Sequence, residues 1–182
     1  MVRKACKADV ERMIALLHQV NMVHHVIRPD LFKPHTTKYS AQELEALLGD
    51  ESKPIFVFED RPSADGQTDR LPVAGQDDRP SADGCADLRG EVVGYAFCQV
   101  TAVANHALLQ DAKTLYIDDI CVDERARGQH VGTALYEHVV QYARSIGCHN
   151  ITLNVWEGNE PALAFYRSMG MGVQKTTMEV VL

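Results

Sequence analysis

The chain has 182 residues, 46% of them hydrophobic, which suffices for one buried core and is short for two domains. A net charge of -7 argues against a nucleic-acid surface. No run approaches the roughly 20 apolar residues of a membrane span, and the start MVRKACKADVERM lacks an apolar secretory core. The expectation is a cytoplasmic protein whose five scattered cysteines are reduced, with no CxxC pair to suggest zinc or a disulfide frame.

In chain order, DVERMIALLHQV comes first and spaces Val10, Met13, Ile14 and Leu17 as one face of a helix. The following VNMVHHVIRPDLFKPHTTKY holds two prolines and mixes polar with large apolar residues, so it reads as an irregular segment covering a cleft. Its His24, His25 and His35 lack metal-site spacing, and no metal is expected; they are suited to line an acceptor pocket. SAQELEALLG then offers Ser40 as N-cap, Glu43 to complete a capping box and Gly49 as terminator.

Two β-prone runs follow, KPIFVFE (residues 53–59) and EVVGYAFCQV (residues 91–100). Between them DRPSADG occurs twice, at residues 60–66 and 78–84. The span from Glu59 to Glu91 carries nine acids and four arginines, leaving only about -2 for the rest of the chain. Rich in Pro, Gly, Asp and Ser, residues 60–89 read as a repetitive acidic flexible insert in a hairpin, within a single domain of residues 1–182.

TLYIDDICV is the next strand. Neighbouring strand residues face opposite ways, so at least one carboxylate of Asp118 and Asp119 should leave the solvent side. A buried carboxylate needs a partner or a role; the alternative is a pair near the strand end, bonded to an adjacent loop. RARGQHVG then leads into the amphipathic helix GTALYEHVVQYARSIG, with Leu135, Val139, Ala143 and Ile146 on one stripe and Gly147 past its end.

That strand-to-helix turn places free backbone amides where an anion would bind, and Gly128 and Gly132 permit close approach. It fits neither GxxxxGK[ST] nor GxGxxG, so an ordinary turn stays open at this point. NITLNVWEGN is a further strand, and EPALAFYRSMG a short helix with Pro161 in its first turn. Tyr166 on that helix is a proton donor or a packed aromatic. GVQKTTMEVVL supplies one or two closing strands.

Together these residues resemble the GCN5-related N-acetyltransferase superfamily. The family's phosphate motif, [RQ]-x-x-G-x-[GA], is matched by Arg127-Gly128-Gln129-His130-Val131-Gly132, with His130 in place of the first glycine. Asn159, Ala162, Phe165, Tyr166 and Gly170 match its later signature, and YIDDICVDERARG looks like its fourth strand and exit. The resemblance implies an α/β (α+β) fold: a mixed, mostly antiparallel sheet of six to seven strands, four flanking helices, and splayed fourth and fifth strands.

It also implies acetyl-CoA as cosubstrate, without metal. Ile120, Cys121 and Val122 would pair with the pantetheine arm, with the Val122 amide facing the thioester carbonyl. The amides from Arg127 to Thr133 (Gly128, Gln129, His130, Val131 and Gly132 between them) would take the pyrophosphate. His130 suits this if its φ stays negative. Asn159 matches the cofactor-side asparagine and Tyr166 the general acid. Asp118, Asp119 or a water chain would be the base, with Asp118 the candidate by its match to an acidic position in polyamine acetyltransferases.

The implied activity is acetyl transfer to a small primary amine such as a polyamine. Acetylation of protein or peptide N-termini or lysines, and a non-catalytic acyl-CoA-binding module, are the alternatives. No nucleic-acid or membrane partner is expected. Family members are often dimers, and the closing strands would form the interface.

Overall fold

Five strands make the sheet of this computed structural model, which describes residues 1–60 and 90–182. They are β1 (Val2–Lys4), β2 (Ile55–Asp60), β3 (Glu91–Val103), β4 (Ala112–Val122) and β5 (Asn150–Leu153), in the spatial order of the sequence. The first four pair antiparallel and β5 joins β4 in parallel. The helices are α1 (Val10–Ile27), α2 (Ala41–Leu47), α3 (Val131–Ser145) and α4 (Glu160–Ser168). The repeat between β2 and β3, from residue 61 to residue 89, lies outside the described residues.

Period-two alternation divides the strands between two cores. Ile55, Val57, Tyr95, Phe97 and Cys121 face Met13, Leu16 and Leu17 of α1 and Leu44 of α2. Phe56, Ala96, Cys98, Leu115 and Ile117 face Leu135, Val139 and Ala143 of α3. α3 comes close to the sheet at Gly94. A Cβ there would lie 2.9 Å from the Cys121 carbonyl oxygen and 3.1 Å from side-chain atoms of both Leu135 and Val131.

Three expectations are corrected. First, α1 does not stop near Val20 but runs to Ile27. VNMVHHVI contains no breaker; Pro29 disfavours helical backbone at Arg28, which leaves the helix at φ -134°. Second, the sheet has five strands among the described residues, not six to seven, because residues 171–182 form none. Strand propensity is largely fit to a half-buried pleated surface, and this segment has none: Val173, Met178, Val180 and Val181 are each at least 75% exposed. Glu179 is instead held by the Arg28 guanidinium at 2.8 Å. Third, Cys98, Cys121 and Cys148 are free thiols, but Cys6 is disulfide-bonded; cysteine pairing is not readable from spacing alone.

α2 follows the sequence closely. Ser40 and Glu43 form the expected capping box, the Glu43 amide donating to Ser40 Oγ and the Ser40 amide to Glu43 Oε2. Near the N-terminus, the Arg3 guanidinium bridges two buried carboxylates, Asp9 at 2.7 Å and Glu59 at 2.8 Å, so neither charge is buried unpaired.

Candidate active site

The centre of β4 carries an irregularity. Phe97 of β3 lies opposite Asp119, and the next residue, Cys98, opposite Ile117, so Asp118 is the extra residue of a β-bulge. A bulge interrupts alternation and re-aims a side chain. Asp118 meets Lys38, whose Nζ donates to Oδ2 at 2.5 Å from the segment between α1 and α2. Asp119 accepts a 2.8 Å hydrogen bond from the Tyr95 hydroxyl.

The two carboxylates therefore differ in character. Burial pushes the Asp119 carboxyl up to about 6, against the opposing effects of the Tyr95 hydrogen bond and the Lys38 charge. Burial works to lower the Lys38 ammonium, but its hydrogen bond and attraction to Asp118 prevail and raise it.

Aromatic contacts lie on the segment between α1 and α2 and past β5. Tyr39 stacks on Phe97 at 5.8 Å, and Lys38 Nζ lies 5.5 Å over the Tyr39 ring. Past β5, Trp156 meets the edge of Phe32 at 5.4 Å, and Arg28 lies 5.7 Å over the Trp156 ring. Of the histidines expected to line a pocket, His24 packs on Phe32 at 5.0 Å, and His25 Nδ1 lies 2.7 Å from the Phe32 carbonyl oxygen. His35 sits in a left-handed turn at φ 55°. Among the described residues, no group of three or more His, Cys, Asp or Glu side chains is placed to hold a metal ion.

The far edge of β4 opens beside these carboxylates. β4 and β5 pair from Thr114 with Asn150 to Ile117 with Leu153, and there β5 ends. Residues 118–122 keep β3 on one side and have no β5 residue on the other. Backbone groups of Ile120, Cys121 and Val122 are therefore without a β5 partner. Ile120 and Val122 are partly buried on the α3 side. Cys121 is buried against α1, with Sγ 3.5 Å from the Leu16 carbonyl oxygen; burial pushes its thiol up to about 12, which makes it a poor nucleophile.

The exit from β4 is pinned by a residue that sequence reasoning passed over. Asp123 is buried, accepts from the Arg125 amide at 2.9 Å, and pairs with the side chains of Arg125 and Arg12. These partners, Arg125 first, hold its carboxyl well below the usual range. The Asp two residues before Arg125 is an Asx-turn signal legible in DERARG; its partner Arg12 is not.

Beyond it, Gly128 at φ 77° and His130 at φ 60° are left-handed, with negative φ at Gln129 between them. Such alternation turns successive N–H groups toward a common concave side. Ala134 donates the first bond of α3, to the His130 carbonyl at 3.0 Å, so the amides of Val131, Gly132 and Thr133 precede the ladder. His130 does not meet the condition of negative φ: it is the N-cap of α3, exposed, and its side chain makes no capping bond. Arg127 is exposed and lies 3.6 Å from Glu124, and Gln129 Nε2 donates to the Arg125 carbonyl.

α4 packs Phe165 and Tyr166 against the α3-side core. Asn159 is its N-cap, with Oδ1 accepting from the Ala162 amide at 3.3 Å. Tyr166 is partly buried, 5.1 Å from Phe165 and 6.4 Å from Tyr136, so it packs as an aromatic. Burial, and then the Asp119 charge, raise its hydroxyl well above the ordinary range, which keeps it protonated.

The profile of the Acetyltransferase (GNAT) family matches residues 21–171. Streptothricin acetyltransferase of Streptomyces lavendulae is 34% identical over 116 residues, 64% of this chain and 56% of that enzyme. An uncharacterized N-acetyltransferase of Methanocaldococcus jannaschii is 30% identical over 84 residues, 46% of this chain and 36% of that protein. The match thus spans less than two thirds of the length of these curated relatives. A tetramutant of the BH1408 protein of Bacillus halodurans superposes with a TM-score of 0.80 at 27% identity, covering 100% of this chain and 99% of that one. An aminoglycoside acetyltransferase from a soil metagenome shares the fold, with a TM-score of 0.64 at 17% identity over 100% of this chain and 95% of that one.

Proposed function

Because the chain belongs to the acetyltransferase (GNAT) family, we propose that it transfers the acetyl group of acetyl-CoA to a primary amine of a small cationic molecule, polyamines among them. The observation that carries this reading is the joint placement of Asp118, the open edge of β4 and the amides of residues 128–133 along one strand and its exit.

The amides of residues 128–133 suit the pyrophosphate through hydrogen bonds and the positive end of α3. The β4 edge at residues 120–122 suits the pantetheine arm, with the Val122 amide donating to the thioester carbonyl oxygen as negative charge develops there. Asp118 accepts the proton that an ammonium must lose before it attacks. The Tyr166 hydroxyl, kept protonated, donates to the departing sulfur. Attack is direct in a ternary complex, and Cys121, buried with its thiol raised, forms no covalent intermediate. Asn159 fixes the start of α4, and so the position of Tyr166, as it borders the cofactor.

Two features support a cationic acceptor: the carboxylates of Asp118 and Asp119, and the ring faces of Tyr39 and Trp156, which already receive Lys38 and Arg28. The names of relatives such as streptothricin acetyltransferase and glucosamine 6-phosphate N-acetyltransferase point to small acceptors. The test is thiol release from acetyl-CoA with a panel of polyamines, aminoglycosides, amino acids and peptide N-termini. Release is expected with small cationic amines. Release with peptides alone, or with nothing in the panel, would remove the acceptor assignment or the enzyme reading, respectively.

A further inference from the structure

We propose that Lys38 is a self-acetylation site: its amine takes, on Asp118, the place of the acceptor amine and receives the acetyl group when no acceptor is bound. This rests on acetyl-CoA lying along the open edge of β4. Lys38 belongs to the segment joining α1 to α2, yet its Nζ reaches across to Asp118 Oδ2 at 2.5 Å. Asp118 is the bulged residue four positions before Val122, at the point where β5 has already parted from β4.

The lysine is held there from both sides. Thr37 Oγ1 donates to the Tyr39 carbonyl at 2.9 Å, Ser40 caps α2, and the Tyr39 ring beneath Nζ is stacked on Phe97. Two other lysines bond elsewhere: Lys53 pairs with Asp50, and Lys113 Nζ donates to the Ile146 carbonyl. Asp118 is 26% exposed and the Lys38 side chain 46%, so the contact is open enough for an incoming cation to displace the lysine.

The chemistry repeats that of an acceptor. The Lys38 ammonium gives one proton to Asp118, its Nζ lone pair bonds to the thioester carbonyl carbon, and the carbon–sulfur bond breaks. The proton lost from nitrogen as the amide forms passes to the thiolate. The net products are Nζ-acetyl-Lys38, CoA thiol and one proton. The amide has no charge, so the ion pair to Asp118 is lost and a neutral group is left in the acceptor's place. Acetylated protein is consequently slow with its acceptor, and a bound cationic acceptor protects Lys38.

The experiment incubates the full chain with acetyl-CoA and no acceptor, follows modification by peptide mass mapping, and measures acetyl-CoA binding by calorimetry on the same sample. Expected are one acetyl group on Lys38, first-order kinetics independent of protein concentration, loss of the label in Lys38→Arg, and slowing by roughly 100-fold in Asp118→Asn. An amine that is turned over should suppress the label.

Labelling of Lys38 no faster than of exposed Lys4 or Lys33 would overturn the proposal, as would a rate that rises with protein concentration. If acetyl-CoA binds and an acceptor is acetylated while Lys38 stays unmodified, this inference alone fails. If acetyl-CoA does not bind, the proposed function fails with it.

Discussion

His130 carries the clearest quantitative consequence of the cradle geometry. It stands at φ 60°, ψ 13°, a left-handed conformation that costs a residue with a Cβ roughly 1–2 kcal/mol. Its ring is exposed and makes no capping bond, so no capping hydrogen bond of the side chain offsets that cost. Replacing it with glycine removes the steric cost but adds about 0.5–1 kcal/mol of backbone entropy lost on folding. The balance is a stabilisation of about 0.5–1 kcal/mol, or a rise of about 1–4 °C in Tm for a domain of this size.

The assay is urea unfolding of wild type, His130→Gly and His130→Ala, with the m-values compared to exclude changes in the unfolded state. His130→Gly should unfold at higher urea, and His130→Ala should not, because alanine keeps the Cβ in the same backbone. CoA affinity of His130→Gly should stay within about twofold, since the binding groups are amides that the substitution leaves in place. An unchanged or lower midpoint for His130→Gly, or an equal gain for alanine, would refute the assignment of strain at this residue.

Four further outcomes follow from the site. Tyr166→Phe should lower kcat by roughly 100-fold with little change in acetyl-CoA affinity, measured by thiol release and calorimetry; unchanged turnover removes it as donor to sulfur. Asp118→Asn should lose about 100-fold in rate on an active acceptor, and an unaltered rate excludes it as the base. Asp119 is raised to about 6 from 3.8, so the folded protein binds its proton more tightly than the unfolded chain; the stability this confers is present below about 4 and lost as pH rises through 6. The stability of Asp119→Asn relative to wild type, from urea midpoints, should therefore climb between pH 4 and 7, and a flat difference contradicts the shift. Finally, Asp60 lies opposite Glu91 in the hairpin, so replacing residues 61–89 with a short Asn-Gly turn should leave CoA affinity unchanged; a large loss makes that segment a participant.

What was legible in the sequence is what local bonding decides. The capping box of Ser40 and Glu43 and the stripe of Leu135, Val139 and Ala143 each depend on residues within a turn or two of one another. The parting of β4 from β5 entered through resemblance; in the structure their parallel ladder ends at Ile117 and Leu153.

What was not legible depends on distant neighbours. The bulge at Asp118 is a property of its register with Phe97 and Cys98, so alternation along TLYIDDICV predicts opposite faces without revealing it. Lys38 is 80 residues from Asp118, and Arg12 is 111 residues from Asp123; no spacing rule joins them. The positive φ of His130 ran against a side-chain rule that disfavours it, and the turn prevailed. GVQKTTMEVVL has the composition of a strand but no neighbour to pair with, and composition alone does not supply one.

The central claim is that one continuous stretch, from the open edge of β4 to the start of α3, holds acetyl-CoA through backbone groups. Amide chemical-shift mapping of the isotopically labelled protein during titration with acetyl-CoA tests it residue by residue. The largest saturable shifts should fall on the amides of residues 120–122 and 128–133, with Gly128 and Gly132 among them. Saturable shifts confined to other surfaces, or none at millimolar acetyl-CoA, would contradict the account.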